Sequence, residues 1–417
     1  MPTDIKSLTR EELEAQFTSW KQPAYRVTQL LEWLYARRAV NWDAMTNLPK
    51  PLREKLREKF SLHCLELVRK QGAPENDVTS DKWQVTGKQI VSPVTRRLSH
   101  PADTTRKFLW KLADGSLIES VLIPANPALY GEASDRHTLC ISTQVGCAYG
   151  CKFCASGLDG WKRNLTPDEI VEQVLAVERL KMEQVRNAEC GMRNEAPAKL
   201  QPSTPHSALR TPRLIDNVVV MGMGEPLANY EHLLQALKIL NAPWGGGIGA
   251  RKITISTSGL APQIRRLADE PLQFRLAISL HGATDEVRNR IMPVNRKHPL
   301  KELTAACEHY QIQKGRMLTF EYILIAGVND AIAQAAPLAA LAKKLFAKVN
   351  LIPYNQVEGL TWERPDEKVC EAFLRALEKQ KVTATLRREK GHDIDAACGQ
   401  LRLKTEKQFG GTSSTSP

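Results

Sequence analysis

The 417-residue chain reads as an α/β protein: a parallel barrel or open sheet, preceded by a small helical module. Three observations predict this. First, from about residue 137 short apolar runs follow one another: TLCISTQV, NVVVMGMG, KITISTS, FRLAISLH, LTFEYILIAG and KVNLIPYN. They are continuous rather than alternating, which suits parallel strands covered on both faces. Second, helix-like stretches lie between them, so strand–helix units repeat about six times. Third, the first 62 residues carry helical spacing instead of strand-like runs.

Taken in order, SLTREELEAQF opens with a capping pattern and then places apolar residues at helical intervals. YRVTQLLEWLYARR puts Val27, Leu30, Leu31 and Leu34 on one side, with arginines nearby. PLREKLREKF is a third amphipathic stretch. Together these predict an accessory helical domain over 1–62. Between 63 and 124, LELVRKQ and KFLWKLADGSLIESVLIP cluster β-formers around an Asp114-Gly115 turn, predicting a β-rich connector. The main α/β body follows over 125–403. Its first long helix, TPDEIVEQVLAVERL, has Thr166 at the N-cap, Pro167 at the first helical position and Glu169 completing a capping box. Residues 183–213 are rich in Pro, Ser, Ala and Arg and break the rhythm, as an insertion would. The segment 404–417, ending GGTSSTSP, is expected to be a disordered tail.

Composition narrows the function classes. Hydrophobic residues are 42% and charged residues 25%, the balance of a globular protein. MPTDIKSLTREELE has no apolar signal core, and no apolar run reaches the ~18 residues of a membrane span. The expectation is a cytoplasmic protein with no membrane segment. Nine cysteines in that setting favour metal ligation or catalysis over a disulfide scaffold. The formal net charge of +12 fits a polyanionic partner, nucleic acid above all, and also fits an enzyme that is simply basic.

The chemistry-bearing motifs fall at the expected C-terminal ends of strands, where α/β folds gather their sites. Cys147, Cys151 and Cys154 stand in CAYGCKFC, just after a strand. A four-cysteine zinc site would need a second close pair, and none exists. Three close thiolates suit a [4Fe–4S] cluster with one iron left open; the bland alternative is a trio of buried thiols. Gly222-Met223-Gly224-Glu225-Pro226 fails as a dinucleotide fingerprint but lets a ligand approach backbone at a strand end. Ser256, Ser279-Leu280-His281 and Asn355 repeat the placement of polar groups after an apolar strand. Each taken alone reads as a turn or cap residue. Cys398, isolated among alanines, reads locally as a small core residue.

C-x3-C-x2-C with Phe153 before the last cysteine resembles the radical S-adenosylmethionine superfamily. GMGEP resembles that superfamily's GGEP-type segment. The later strand ends, together with DIDAACGQL around Cys398, TLCISTQVGC around Cys140 and IESVLIP around Glu119, are similar to one subgroup, the dual-specificity RNA methyltransferases and their Cfr-type relatives. The resemblance runs from YRVTQLLEWLY to about residue 403. It implies a partial (β/α)6 barrel, with the cluster on Cys147, Cys151 and Cys154. It implies S-adenosylmethionine held by Gly224, Glu225, Ser256, Ser279, Leu280, His281 and Asn355. Two molecules of that cofactor serve each turnover, one as methyl donor and one as radical source. Cys398 is implied to become S-methylated, to be activated as a methylene radical and to add to an adenine. Glu119 is implied to be the proton acceptor. Cys140 is implied to release the product by a transient disulfide with Cys398, which a reductant then resets.

The implied product is an adenine methylated at C2 in 23S ribosomal RNA, and in tRNA for some members. The implied partners are that RNA and an electron donor such as flavodoxin or ferredoxin, with the enzyme a monomer. Arg37, Arg38 and Lys70 are candidate phosphate contacts. The loop ANPALYGEASDR, the 183–213 stretch and the glycine-rich APWGGGIGARK depart from the family pattern. Three other readings stay open: methylation at C8 of the same adenine, a radical activase acting on a protein, and an RNA-binding protein with a structural metal.

Overall fold

A computed structural model describes residues 2–72, 105–124, 136–191, 213–387 and 399–410, with 183–191 and 409–410 as backbone. Cys398, residues 125–135 and 192–212, and residues 411–417 lie outside the described residues.

The amino-terminal part is helical: α1 (Arg10–Ser19), α2 (Tyr25–Leu31) with a wider closing turn at Glu32–Ala36, and α3 (Lys50–Lys59). Thr9 and Glu12 form a reciprocal capping box on α1. Val27, Leu30, Leu31 and Leu34 are all buried, as their spacing predicts. These helices have no separate core. Ile5, Leu13, Phe17 and Leu56 belong to the same continuous apolar cluster as the strands that follow.

Next come β1 (Glu66–Gly72), β2 (Arg106–Lys111), β3 (Leu117–Pro124), β4 (His137–Cys140), and a small hairpin of β5 (Gln144–Gly146) and β6 (Trp161–Asn164). After α4 (Pro167–Gly191) the chain alternates. It runs through β7 (Ile215–Val220), α5 (Tyr230–Asn241), β8 (Ile253–Thr257), α6 (Ala261–Asp269), β9 (Arg275–Ser279), α7 (Asp285–Ile291) and α8 (Leu300–Lys314). It ends with β10 (Leu318–Leu324), α9 (Ala335–Lys344), β11 (Ala347–Pro353), α10 (Glu367–Lys379), β12 (Ala384–Leu386) and α11 (Gln400–Gly410). Ten strands make one sheet in the order β1-β2-β3-β4-β7-β8-β9-β10-β11-β12. From β4 to β12 neighbours are parallel; from β1 to β4 they are antiparallel. Each apolar run read from the sequence supplies one of the parallel strands β4 and β7–β11. β1–β3, expected as a connector, continue the same sheet.

Two segments differ from expectation. The stretch expected as an insertion from residue 183 begins inside α4, which runs on to Gly191 because ERLKMEQVRNAE contains no helix breaker. The tail expected to be disordered from 404 begins as helix α11. Leu401 packs with Leu109 and Leu117, and the buried Arg402 is neutralised by Asp159 at 3.1 Å and by Glu406.

The helical module is fastened to α4 by charge as well as apolar area. The Lys6 ammonium lies 3.0 Å from Glu172, and Arg38 pairs with Glu178; these four side chains are at most 5% exposed. Ser7 Oγ donates to Asp168 at 2.8 Å, and Gln235 donates to the Ser7 carbonyl at 2.6 Å. Arg38, read from the sequence as a phosphate contact, is therefore committed to a buried ion pair. Burial turned it inward, which a run of arginines cannot reveal.

Candidate active site

CAYGCKFC leaves the β5–β6 hairpin: the Cys147 N–H donates to the Gly160 carbonyl at 3.0 Å, and the Cys154 N–H to the Cys151 carbonyl at 3.1 Å. Two outside elements grip the loop. The Lys152 N–H donates to the Ile291 carbonyl at the end of α7 (2.9 Å), and Trp362 Nε1 donates to the Lys152 carbonyl (2.8 Å). The Phe153 ring stands edge-on to His281, centroids 5.0 Å apart. Burial pushes the Cys147 thiol up to about 12, while amides of Tyr149 and Gly150 oppose the rise. Burial, reinforced by Cys154 and Cys147, raises Cys151 as well. Three sulfurs that repel one another when ionised need a cationic centre to hold them as thiolates. Among the described residues no three His, Cys, Asp or Glu groups converge on a single metal ion. Three mutually coupled thiols on one short loop fit the donor set of an iron–sulfur cluster.

The strand ends supply the opposite wall. Gly224 has φ +101°, and a Cβ there would lie 2.6 Å from Gln144 Cβ, so glycine alone fits. Glu225 caps the turn that follows. Its oxygens accept the Leu227 amide at 3.0 Å and the Ser258 amide at 2.7 Å, while burial raises its pKa. It thus joins the ends of β7 and β8. Ser256 and Ser279 hydroxyls meet at 3.2 Å across β8 and β9. Leu280 and His281 turn back onto the Glu321 carbonyl, with His281 in the left-handed region at φ +55°. Its Nδ1 accepts the Ile323 amide at 3.1 Å, so the ring is neutral, and burial beside Arg288 lowers its pKa to about 3. Asn355 follows β11, and its buried Oδ1 has no hydrogen-bond partner among the described residues. An unsatisfied buried carbonyl just past a strand end is where a ligand donor fits. The residues present fit both groups implied by the sequence.

Glu119 lies on β3. Its Oε2 accepts the Gly399 amide at 2.8 Å and its Oε1 the Arg402 amide at 2.7 Å; Lys107 Nζ is 3.3 Å away. The carboxylate therefore caps α11, as acids do at helix N-termini. Gly399, the residue after Cys398, has φ +87°, and a Cβ on it would lie 2.8 Å from Ser156 Oγ. Ser156 belongs to the turn that follows Cys154. Cys140 is buried on β4 and pairs in register with Val121, two residues from Glu119. The Ser142 hydroxyl fixes this corner by donating to the Glu119 carbonyl at 2.6 Å. Glu119, Cys140 and the cysteine loop thus share one end of the sheet; Cys398 lies outside the described residues.

Sequence reasoning missed Arg288, Lys107 and Gln144. Arg288 is wholly buried and donates to the carbonyls of Ser258 (2.9 Å), Ser279 (3.3 Å) and Leu280. Gln144 Oε1 accepts the Glu225 amide at 2.9 Å. Nothing local in DEVRNRI marks Arg288 except its place beside the apolar Val287 and Ile291.

Comparison with known proteins agrees with this architecture. The model of the ribosomal RNA large subunit methyltransferase N-terminal domain matches residues 3–62, and that of the radical SAM superfamily matches residues 207–336. The chain is 52% identical over 400 residues to a probable dual-specificity RNA methyltransferase RlmN 3 of Opitutus terrae, covering 96% of this chain and 94% of that one. It is 46% identical over 410 residues to a probable dual-specificity RNA methyltransferase RlmN of Akkermansia muciniphila, covering 98% of each. A crystal structure of a radical SAM methyltransferase from Sphaerobacter thermophilus is similar with a TM-score of 0.76 and 39% identity, over 96% of this chain and 99% of that one.

Proposed function

The chain belongs to the dual-specificity RNA methyltransferases of the radical S-adenosylmethionine superfamily, and from that premise we propose that it methylates C2 of an adenine in 23S ribosomal RNA and in tRNA. The observation that carries the site assignment is the clamp on Gly399. The residue after Cys398 is hydrogen-bonded to Glu119 and packed on the turn after Cys154.

The [4Fe–4S] cluster and S-adenosylmethionine, when bound, supply the methyl group and the radical that activates it. The remaining work falls to side chains. Cys147, Cys151 and Cys154 hold the cluster. Gly224 and Glu225, Ser256, Ser279, Leu280, His281 and Asn355 surround the cofactor, with His281 neutral and Asn355 offering an unused acceptor. Cys398 accepts the methyl group on sulfur and carries the carbon to the base. Glu119 holds the carrier segment and, once Gly399 and Arg402 give up its oxygens, serves as proton acceptor. Cys140 attacks the Cys398 sulfur, frees the methylated base and leaves a disulfide for a reductant to open. A flavodoxin- or ferredoxin-type donor supplies electrons to a cytoplasmic monomer.

In this reading residues 1–62 are an accessory module that meets RNA. Its surface interleaves bases and rings: Arg37 lies 4.4 Å over Trp33, and Arg26 and Lys55 lie 4.9 Å over Tyr25 and Trp20. Stacked cation–aromatic pairs of this kind offer charge to phosphates and flat faces to unpaired bases.

The test is anaerobic reconstitution with isotope-labelled methyl donor, peptide mass analysis before RNA is added, and nucleoside analysis afterwards. Label on Cys398 followed by 2-methyladenosine is the expected result. Label elsewhere or nowhere overturns the carrier role, and 8-methyladenosine overturns the regiochemistry.

A further inference from the structure

Arg288 is a buried cation whose side-chain hydrogen bonds, among the described residues, go to neutral acceptors. Its Nε donates to Asn295 Oδ1 at 2.8 Å, and its fork reaches the carbonyls of Ser258, Ser279 and Leu280. The acid on its own helix, Asp285, stands one amide away: Asp285 Oδ1 accepts from Asn295 Nδ2 at 2.8 Å and from the Leu300 amide at 2.9 Å. The side chain is fully enclosed. Gly282 leaves room for it, since a Cβ there would lie 3.0 Å from Arg288 Cγ. A guanidinium this deeply desolvated ordinarily has a carboxylate or phosphate beside it. Burial accordingly lowers its pKa to about 10, and the Cys151 sulfur is the largest influence opposing that fall.

Asp285 and Cys307 act on Arg288 after Cys151, and its position points to the thiol loop as the place of its leading counter-charge. One turn further along α7, the Ile291 carbonyl takes the amide of Lys152, the residue after Cys151. The same guanidinium reaches the strand ends that carry Ser256, Ser279 and Leu280. It therefore lies between the thiol loop and the cofactor wall.

We infer that Arg288 is the built-in counter-charge of the iron–sulfur centre, and that its fork also fixes the β8 and β9 ends against S-adenosylmethionine. This rests on the reading that the three cysteines hold a cluster. When one electron arrives from the external donor, the cluster that these thiolates would hold becomes more negative by one unit. A fixed cation stabilises that reduced state and raises the reduction potential. No bond forms or breaks in this step. Arg288 is thus a positioning residue: it touches neither substrate nor the transferred carbon.

The experiment is potentiometric titration of the reconstituted holoenzyme, followed by its spin-resonance signal, alongside the KM for S-adenosylmethionine. Arg288→Met should make reduction at least tenfold less favourable, a fall of 59 mV or more, and should raise KM. Arg288→Lys keeps the charge but loses the fork, so its potential should stay within that tenfold window while KM rises. An Arg288→Met enzyme that retains its cluster at an unchanged potential overturns the inference. If the neutral variant does not fold, Arg288→Lys decides alone: a lowered potential with KM unchanged overturns it. Failure of the wild type to assemble a cluster would instead sink the underlying reading, so the two failures are distinguishable.

Discussion

Gly399 shows how much can depend on one missing Cβ. A methyl group there would meet Ser156 Oγ, N and Cα at 2.8–3.0 Å, in a backbone conformation that alanine disfavours. Gly399→Ala should therefore lift the start of α11 off Glu119. The variant is expected to keep its cluster, measured by iron and sulfide content, and to lose at least tenfold in the rate of Cys398 methylation. His281 makes a second prediction. Its folded pKa of about 3 lies below the ordinary 6.5, so the fold binds the neutral ring and the unfolded chain takes the proton first. Its contribution to stability is complete above pH 6.5 and is lost as pH falls toward 3, at up to about 1.4 kcal/mol per unit. His281→Asn, which tolerates a left-handed backbone and keeps an acceptor for Ile323, should flatten that limb in denaturation curves taken from pH 7 to 4. The residue scale is also where the sequence was least legible. Glu225 and Glu119 are singled out by resemblance of pattern, but their roles as caps depend on Ser258, Gly399 and Arg402, which are remote in sequence. Arg288 sits in DEVRNRI, whose charges read as a solvated face until tertiary packing turns one of them inward.

Among elements, the boundary between the helical module and the barrel was the least predictable. The spacing of Val27, Leu30, Leu31 and Leu34 announces a buried face without saying what buries it. In the structure that face joins the shared core while Lys6 and Arg38 hold the module to α4, so removing residues 1–62 would expose apolar surface and strand Glu172 and Glu178. The ion pair can be tested directly. Arg38→Met should cost about 3–5 kcal/mol in chemical denaturation, because Glu178 is left buried and unpaired. Arg38→Met with Glu178→Leu should recover most of that loss. RNA contact is better probed at the exposed stacks than by deletion. Replacing Arg26, Arg37 and Lys55 together by Gln should weaken RNA binding and flatten its salt dependence by about 0.7–0.9 per lost phosphate contact, with the melting temperature little changed. Unchanged affinity and slope would remove the module from the RNA interface. By contrast the strands themselves were plainly written: NVVVMGMG or KVNLIPYN is too short for a helix and too apolar for a loop.

At the scale of the whole molecule, antiparallel and parallel halves share one sheet, and α11 returns from the far end to dock on β3, beside their junction at β4. The alternation of strands and helices predicts the parallel half. The return of α11 was not legible, because KTEKQF looks like a polar tail until Leu401 and Arg402 just before it are seen to be buried. Ending the chain after residue 387 should leave a protein that binds cluster and S-adenosylmethionine, is less stable, and transfers no methyl group; calorimetry and labelling would check each part. The contact between Glu119 and Gly399 spans 280 residues of sequence. During synthesis every strand, the cysteine loop and the cofactor wall emerge before the segment that completes the site. Contacts of such long range form late, since the chain must close a large loop to make them. The barrel can therefore mature while the carrier segment is still being made, and competence for methyl transfer arrives as a final docking event.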